Sequence, residues 1–380
     1  MNPRIALFYH SLISDWNHGN AHFLRGIASE LQTRGHEVRI FEPENSWSRQ
    51  NLLEERGPEA LAAFERAFPN LRSIRYSLQH LEIERWLDGI DLVLVHEWNE
   101  PELISAIGDY RLRNNSIRVL FHDTHHRALT AEQELSRFDL SNYDGVLAYG
   151  ASLKRAYERR GWGRQVHVWH EAADTRVFYP RDRETVAGDV VWIGNWGDEE
   201  RTEELREYFF TPVQNLRLSA QVYGVRYPPA ALHELGRCGI RYGGWLANFE
   251  VPEVFAQFRA TVHVPRRPYT RDLPGIPTIR PFEALACAIP LISAPWRDEE
   301  HLFRVGKDFL MAQNGQQMQA YLHQVLTDPA LAAELAASGL ETIRARHTCR
   351  HRVAELLAIY ASIQPAQTYT GDNLLQEIHA

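Results

Sequence analysis

The sequence predicts an α/β protein built from two domains, each organised around a parallel β-sheet. Short apolar runs alternate with segments of helical period along most of the chain, a pattern typical of parallel strands joined by helices. Runs such as residues 92–95 are continuously apolar, which suits strands covered on both faces. Because the chain has 380 residues, we expect two domains of roughly 100–200 residues each.

The first half of the chain repeats a unit of strand, loop and helix. An apolar run at 4–10 leads through a polar loop to a helical segment at 21–33 and a second strand at 37–41. Further strands are predicted at 91–96, 116–122, 145–149 and 165–169. The helices predicted between the strands cover 51–67, 71–88, 100–113, 130–137 and 151–160.

A charged, turn-rich stretch after residue 171 indicates a domain boundary, because the strand and helix pattern restarts beyond it. Strands are predicted at 189–193, 218–223, 240–242, 260–264, 290–293 and 309–311, and residues 315–363 have helical period throughout. The predicted units are an N-terminal domain at 1–173, a linker at 174–183 and a C-terminal domain at 184–346. We expect a C-terminal helix at 347–380 that packs back on the N-terminal domain. We expect the cleft to close by motion about the linker.

Composition and charge narrow the classes of function. The formal net charge of -8 argues against a protein whose main task is to grip a nucleic-acid backbone. Only two of the 41 basic residues are lysines, so we expect arginine or backbone N–H groups to hold any phosphate. Three widely spaced cysteines predict buried thiols in a reducing cytosol. With no cleavable signal and no apolar segment long enough to span a bilayer, we expect a cytoplasmic protein; peripheral membrane contact stays open.

Polar loops that follow the predicted strands are the candidate site. Two successive parallel sheets place a cleft where the carboxyl ends of their strands face each other. The chemically rich loops lie at 17–20, 96–99, 122–126 and 194–198. In the first loop, Gly19 would let the backbone approach a diphosphate closely. The simpler interpretation is an ordinary turn in which Asn20 caps the following helix.

The loop His122-Asp123-Thr124-His125-His126 has three interpretations. Its histidines could ligate a metal, although the spacing matches no H-E-x-x-H pattern. One imidazole with Asp123 could act as an acid–base pair. The loop could also be polar structure with hydrogen-bonded histidines, and the spacing alone leaves all three open.

Three arginines of the second half are candidate anion contacts. Arg201 follows the glycine-bearing turn at 194–197, which includes Asn195, and Arg266 lies in a basic loop at 265–271. Arg280 directly precedes a helix that we expect to begin near Pro281, where unpaired N–H groups favour an anion. Solvated ion pairs are the alternative for these arginines. Glu283 lies early in the helix that we expect to begin near Pro281, and the local sequence favours a capping role for it.

Several separated stretches together resemble one family, the GT-B glycosyltransferases. Residues 31–38, LQTRGHEV, resemble the family's opening L-x-x-R-G-H-E-V, and residues 174–180, DTRVFYP, resemble its interdomain linker D-x-x-x-F-x-P. Residues 282–290, FEALACAIP, resemble the F-E-A-L-A-C-G-x-P segment of the large retaining group, most closely of its CgeB-like spore-maturation branch. The similarity covers nearly the whole chain in order.

The resemblance implies two Rossmann-like domains and a retaining transferase that needs no metal or cofactor. A nucleoside-diphosphate sugar, UDP-linked in many relatives, would bind mainly to the second domain, and a glycan, small-molecule or protein acceptor to the first. The resemblance implies that His122 lies near the transferred sugar and Arg201 faces the diphosphate, and we predict Asp123 as a third catalytic residue. It also implies donor contacts of Glu283 with the ribose and of Trp245 and Leu246 with the nucleobase. The further predicted donor contacts are Gly19, Asn20, Asn195, Tyr223, Arg266, Thr278 and Arg280.

The sequence departs from the family pattern at several places. Gly275 lies where a second glutamate is common, and Ala288 lies where glycine is usual. The glycine pair of the first loop is reduced to Gly19. The lysine that usually accompanies the phosphate arginine is absent, and its candidate replacements are Arg266, Arg271 and Arg280.

Two other functions remain open from the sequence. A metal-dependent hydrolase would use the polar loops of the first domain, namely His96, Glu97, His122, Asp123, His125 and His126. A nucleotide-sugar-binding protein or an epimerase on the same fold would bind the donor and transfer nothing.

Overall fold

The structure, a computed structural model, describes residues 2–182, 185–197 and 199–363. Its first half forms a seven-stranded sheet in which all strands are parallel. The strands are β1 (Ile5–Phe8), β2 (Val38–Pro43), β3 (Ile74–Tyr76), β4 (Leu92–His96), β5 (Arg118–Asp123), β6 (Gly145–Ala148) and β7 (Val166–Val168). The helices are α1 (Ala21–Thr33), α2 (Trp47–Arg56), α3 (Glu59–Ala67), α4 (Ile83–Leu87), α5 (Pro101–Arg113), α6 (Arg127–Thr130), α7 (Glu132–Leu135) and α8 (Ala151–Arg160).

The second half forms a six-stranded sheet that is also parallel. Its strands are β8 (Gly188–Ile193), β9 (Ala220–Tyr223), β10 (Ile240–Tyr242), β11 (Phe258–His263), β12 (Leu291–Ser293) and β13 (Leu310–Met311). The helices are α9 (Thr202–Leu205), α10 (Thr211–Leu216), α11 (Pro229–Arg237), α12 (Val251–Ala256), α13 (Arg267–Arg271), α14 (Ile279–Ala286), α15 (Gly315–Thr327), α16 (Pro329–Arg346) and α17 (Cys349–Ser362). A π-helical turn, Arg206–Phe210, joins α9 to α10, and a 3₁₀ turn, Asn248–Glu250, precedes α12.

Both sheets have the same doubly wound strand order. The first runs β3-β2-β1-β4-β5-β6-β7 and the second runs β10-β9-β8-β11-β12-β13. The order reverses between β1 and β4 in one sheet and between β8 and β11 in the other. Loops diverge at such a point and leave a crevice outside the carboxyl ends of the strands. The predicted fold class, two parallel α/β domains, is confirmed.

The core of the first sheet explains how the last helix is held. Strand β4 is buried along its whole length, with Val93 and Val95 in the core on one face and Leu92 and Leu94 in the core on the other. The second of these cores also contains apolar residues of α17. Helix α17 therefore packs against α1 and the first sheet, although it comes last in the chain.

The structure differs from the predicted elements mainly at the edge of the first sheet. All twelve predicted strands are present. The prediction of a helix at 71–88 is wrong, because this segment contains β3 and the short helix α4. Strand β3 has only three residues, of which Ile74 and Arg75 are exposed and Tyr76 is buried. So short an edge strand carries almost no periodic signal and is defined by its pairing with β2. The helix expected to begin near Pro281 begins at Ile279.

Other predicted helices are interrupted where a polar cap or a proline begins a new one. The segment at 51–67 divides at Gly57 and Pro58, and the segment at 130–137 corresponds to the two short helices α6 and α7. The run at 315–363 divides into three helices, because Asp328 caps α16 and Thr348 caps α17 through their side chains.

Parts of the predicted organisation lie outside the described residues. These parts are the end of the linker at 183, the start of the second domain at 184 and the tail at 364–380, so the domain boundaries stay predictions. Among the helices of the described ranges, none is both long enough and apolar enough to cross a membrane.

Candidate functional site

A cavity of about 660 Å³ lies between the carboxyl ends of the two sheets. Its first wall comes from the loops after β1, β4, β5 and β6, and its second wall from the loops after β8 and β11 and the start of α14. The cavity has a narrow extension into the second domain, which is lined by Tyr223, Trp245 and Leu246. The two spaces share Gly19, Asn195 and Arg280 among their lining residues.

The first loop of the N-terminal domain brings Gly19 and Asn20 to the cavity. Asn20 does not cap α1 with its side chain; its Nδ2 donates a hydrogen bond to Oγ1 of Thr124 instead. The backbone oxygen of Gly19 accepts a hydrogen bond from Nδ2 of Asn248 in the second domain, at 3.3 Å. This loop therefore joins α1 both to the histidine-bearing loop and to the opposite wall.

Arg201 lies at the cavity without a carboxylate partner among the described residues. Its Nη1 donates to the backbone oxygen of Val264 at 3.0 Å and its Nη2 to that of Asn195, and its Nε has no hydrogen-bond partner in the described part of the chain. Burial lowers the pKa of Arg201, and the guanidinium groups of Arg266 and Arg280 lower it further. A positive charge held so close to others favours the binding of an anion.

Gly197 makes the close approach of the arginines feasible. It adopts a φ of 86°, in the left-handed region that favours glycine. A Cβ at this position would lie 3.1 Å from Nε of Arg201 and 3.3 Å from Nε of Arg266. Glycine is therefore required here both for the backbone and for the space beside the two guanidinium groups.

Of the three candidates to replace the missing lysine, Arg266 and Arg280 line the cavity and Arg271 does not. Nη1 of Arg266 contacts Glu200 at 3.3 Å. Arg280 and Thr278 lie at the N-terminus of α14, and Arg280 pairs with Glu283 one turn further on. The N-terminus of α14 thus presents an arginine and a hydroxyl to the cavity.

Glu283 is fully buried behind the cavity wall and does not line it. Its Oε1 lies 3.0 Å from Nδ1 of His22 on α1, and its other oxygen binds Arg280. Nε2 of His22 accepts a hydrogen bond from the backbone N–H of Asp174 at 2.8 Å, so Nδ1 carries the proton that Glu283 accepts. Glu283 therefore links the two domains and orients Arg280; it caps no backbone N–H group.

His122 and Asp123 are also placed behind the wall. His122 packs against Trp169 and His96, with ring centroids 4.8 and 5.3 Å away, and burial lowers its pKa to about 3. Asp123 accepts hydrogen bonds from the hydroxyl of Tyr157 at 2.7 Å and from the backbone N–H of His125 at 2.9 Å. Burial, reinforced by the carboxylate of Glu97, raises the pKa of Asp123. The side chain of Asp123 supports the following loop, and neither His122 nor Asp123 lines the cavity.

The histidines that do line the cavity are His18, His125 and His126. Each has one ring nitrogen that is buried and lacks a hydrogen-bond partner among the described residues. Burial lowers all three pKa values, with neighbouring histidine and arginine side chains adding to the effect. These imidazoles are therefore neutral near pH 7 and able to bind hydroxyl groups.

The residues proposed for a metal-dependent hydrolase lie near one another but do not form a metal site among the described residues. Among the residues that the structure describes, no group of three or more His, Cys, Asp or Glu side chains has an arrangement that could hold a metal ion. Glu97, a member of the proposed set, pairs with Arg127 and accepts a hydrogen bond from Thr124. Nothing in this geometry favours the hydrolase.

Several cavity residues were not singled out from the sequence. Trp16, Trp47 and Trp98 form a half-buried row on the first wall, with ring centroids of neighbours 6.4 and 6.1 Å apart. Glu171 lines the cavity near the start of the linker, and Tyr149 lies at the end of β6. Tyr149 is the last residue of the predicted strand at 145–149 and Glu171 lies two residues after the one at 165–169, so a strict search of every strand's carboxyl end would have found them.

Comparisons with known proteins agree with this fold. A family described as "Glycosyl transferase-like" matches residues 201–358, and no curated protein sequence matches the chain significantly. An α-glucosyltransferase solved with UDP and DNA superposes with a TM-score of 0.69 at 12% identity, covering 95% of this chain and 100% of that one. Sucrose-phosphate synthase from Thermosynechococcus elongatus gives 0.63 at 15%, covering 94% and 98%. HepE from Anabaena, solved with UDP and glucose, gives 0.63 at 13%, covering 95% and 100%.

Proposed function

We propose that this chain, which has the GT-B fold and a glycosyltransferase-like segment at residues 201–358, transfers a sugar from a UDP-linked donor to an acceptor. The observation that carries the proposal is the convergence of Arg201, Arg266 and Arg280 on the cavity between the domains. The diphosphate leaving group gains negative charge in the transition state, and preorganised guanidinium groups stabilise that charge.

The shape of the cavity supports one orientation for the donor. The space beside Trp245 and Leu246 is only about 20 Å³, so a nucleobase would bind there only after these side chains move apart. The arginines next to it suit the diphosphate. The sugar then extends into the wider cavity toward the first domain. Similar folds have been solved with UDP and with UDP-glucose, which favours this donor class.

The row of Trp16, Trp47 and Trp98 supports an acceptor with an apolar ring face. Indole rings offer large flat surfaces with one polar edge, and such surfaces pack well against sugar or aromatic rings. Some similar structures contain DNA, but the net charge of -8 in this chain favours an acceptor without a phosphate backbone. We therefore propose a glycan or a small ring-bearing molecule as acceptor.

In the proposed mechanism the reaction is retaining and proceeds without a metal. The three arginines and the N-terminus of α14 supply the positive charge that faces the diphosphate. The acceptor approaches on the face from which the diphosphate leaves, so a phosphate oxygen takes the acceptor's proton. His122 and Asp123 act as positioning residues, because Asp123 binds the backbone of His125 at the cavity wall.

Calorimetric titration with UDP tests the proposed site. Arg201→Ala is expected to weaken UDP binding by roughly tenfold to a hundredfold, because a hydrogen bond to a charged group contributes roughly 1.5–3 kcal/mol. Arg271→Ala is the matched control, since Arg271 is exposed and lies outside the cavity. Equal UDP affinity in both variants would remove Arg201 from the donor site.

Incubation with UDP-glucose, with and without candidate acceptors, separates a transferase from a binding protein or an epimerase. A transferase releases UDP and forms a glycosylated product when an acceptor is present. An altered UDP-sugar formed from the donor alone would identify an epimerase, and binding without any product would identify a binding protein.

A further inference from the structure

Glu171 is a buried carboxyl with no partner. It is 2% exposed, and neither of its oxygens has a hydrogen-bond partner among the described residues. Other buried carboxylates of the first domain all accept hydrogen bonds, namely Asp15, Glu42, Glu97, Asp123 and Asp144. Buried polar groups are almost always partnered in native proteins. Because Glu171 lines the cavity, its partner is expected to be a ligand.

The backbone that carries Glu171 is held firmly by α17. Nε of Arg352 donates to the carbonyl oxygen of Glu171 at 3.3 Å, and the carbonyl oxygen of Arg352 accepts a hydrogen bond from the indole of Trp169 at 2.8 Å. Ala173 forms a β-bridge with Thr348 just before α17. The carboxyl of Glu171 is therefore placed on a rigid frame, which is what a precise contact to a ligand requires.

We propose that Glu171 binds a hydroxyl group of the donor's sugar and thereby selects the sugar that the enzyme accepts. This inference rests on the proposed function. Glu171 lines the wide cavity together with Arg280 and Thr278 but not the narrow extension beside Trp245. A group next to the diphosphate site and away from the nucleobase site faces the part of the donor that is transferred.

The charges around Glu171 favour a hydroxyl over a phosphate or a cation. Burial raises the pKa of Glu171, and repulsion from the carboxylate of Glu283 raises it further, against a smaller opposing effect of Arg280. A protonated carboxyl does not repel the diphosphate, and it offers one donor and one acceptor, which complements a hydroxyl. The nearby cation, Arg280, already pairs with Glu283.

The test compares nucleotide and nucleotide-sugar binding by calorimetry in the wild type, Glu171→Ala and Glu171→Gln. The ligands are UDP, UDP-glucose, UDP-galactose and UDP-N-acetylglucosamine. We expect all three proteins to bind UDP with similar affinity, because the proposed partner of Glu171 is a hydroxyl of the transferred sugar, which UDP lacks. Glu171→Ala should weaken the tightest-binding UDP-sugar by roughly tenfold. Glu171→Gln should keep most of the affinity, because an amide also donates and accepts.

Deoxy analogues of the tightest-binding UDP-sugar identify the hydroxyl. Removing the hydroxyl that Glu171 binds should weaken binding to the wild type and leave binding to Glu171→Ala unchanged. A merely structural role for Glu171 would not produce this selective loss.

The outcomes distinguish this inference from the proposed function. A wild type that binds neither UDP nor any of the UDP-sugars would overturn both. Wild-type binding of UDP with no change of UDP-sugar affinity in Glu171→Ala would overturn the role of Glu171 alone. Equal losses for UDP and UDP-sugars in Glu171→Gln, whose fold is checked by thermal denaturation, would also overturn it.

Discussion

At the scale of single residues, Glu283 illustrates how the surroundings change the role of a side chain. Its local sequence favours a helix cap, and the family resemblance implies a ribose contact. The structure instead buries it between His22 of the first domain and Arg280 of the cavity wall. The ribose contact stays a prediction, and any effect of Glu283 on the donor is expected to pass through Arg280.

We predict that Glu283→Ala lowers the free energy of unfolding by about 3–5 kcal/mol, because it leaves the buried imidazole of His22 and the partly buried guanidinium of Arg280 without their carboxylate partner. Thermal or urea denaturation without ligand measures this effect. Glu299→Ala is the control, since Glu299 pairs with Arg155 in a more exposed ion pair, where about 0–1 kcal/mol is expected. A melting temperature for Glu283→Ala equal to that of the control would contradict the linking role.

At the scale of elements, the C-terminus of α14 contains a strained residue. The backbone N–H groups of Ala288 and Ile289 bond back to carbonyls of Leu285 and Ala284, as in a helix end that turns into the left-handed conformation. Ala288 has a φ of 52° at this turn, at a position where the GT-B pattern that the sequence resembles usually has glycine. An alanine in the left-handed backbone conformation lowers the free energy of unfolding by roughly 1–2 kcal/mol.

Ala288→Gly should therefore stabilise the protein by about 1 kcal/mol, since the released strain exceeds the entropy that glycine loses on folding. Differential scanning calorimetry provides the measurement. Ala333→Gly is the matched control, because Ala333 is exposed inside α16 and the same change there should cost roughly 1 kcal/mol. Destabilisation by Ala288→Gly would show that this turn is not strained.

At the scale of the whole molecule, polar contacts hold the two domains together across the cleft. Nε1 of Trp245 donates to Oδ1 of Asp15 at 3.0 Å, and the backbone N–H of Asn248 donates to Oδ2 of the same carboxylate at 3.0 Å. Nη1 of Arg25 also binds this carboxylate, at 2.9 Å. Asp15 thus connects α1 to the loop of the second domain that contains Trp245 and Asn248.

Trp245→Phe should shift the free protein toward an open cleft. The change removes the hydrogen bond to Asp15, and a hydrogen bond to a charged acceptor contributes roughly 1.5–3 kcal/mol. It keeps an aromatic ring facing Arg56, whose guanidinium carbon lies 5.6 Å from the centroid of the indole in the wild type. In small-angle scattering without UDP, the Trp245→Phe variant should have a larger radius of gyration than the wild type. With saturating UDP the difference between the two proteins should be smaller. Trp162→Phe, within the first domain, is the control and should scatter like the wild type. Identical scattering for both variants would argue against a role for this contact in closure.

The many buried histidines predict loss of stability in mild acid. Burial is the main cause that lowers the pKa values of His10, His18, His96, His122, His125, His126, His263 and His347. Below about pH 6.5 the unfolded chain therefore binds more protons than the folded chain. The free energy of unfolding is highest above that pH and falls as the pH drops, by about 1.4 kcal/mol per pH unit for each such histidine. The carboxyl groups of Glu97, Asp123 and Glu171 have raised pKa values, which increase the free energy of unfolding as the pH falls. These carboxyl groups are fewer than the buried histidines.

Urea denaturation between pH 7 and pH 5 checks this expectation. His122→Phe should reduce the pH dependence by about one proton, because the aromatic surroundings of His122 accommodate another ring. His323→Ala, at an exposed position of α15, should leave the pH dependence unchanged. A stability that rises from pH 7 to pH 5 would show that the carboxyl groups dominate.

The sequence by itself determined the fold class and the loops that form the cavity. Alternating apolar runs and helical periods depend on neighbours within one element, so all twelve predicted strands are present and Arg201, Arg266 and Arg280 were found after strands or before a helix. Because parallel strands end at one edge of a sheet, these loops had to meet.

Only the tertiary structure decided which side chain meets which. His22 and Glu283 are 261 residues apart, and the pairing of β3 with β2 turns a weak segment into a strand. The inward positions of His122 and Asp123, and the unpartnered carboxyl of Glu171, likewise depend on packing between distant elements. Local periodicity carries no information about such partners, since they are fixed by the way the two sheets and α17 pack together.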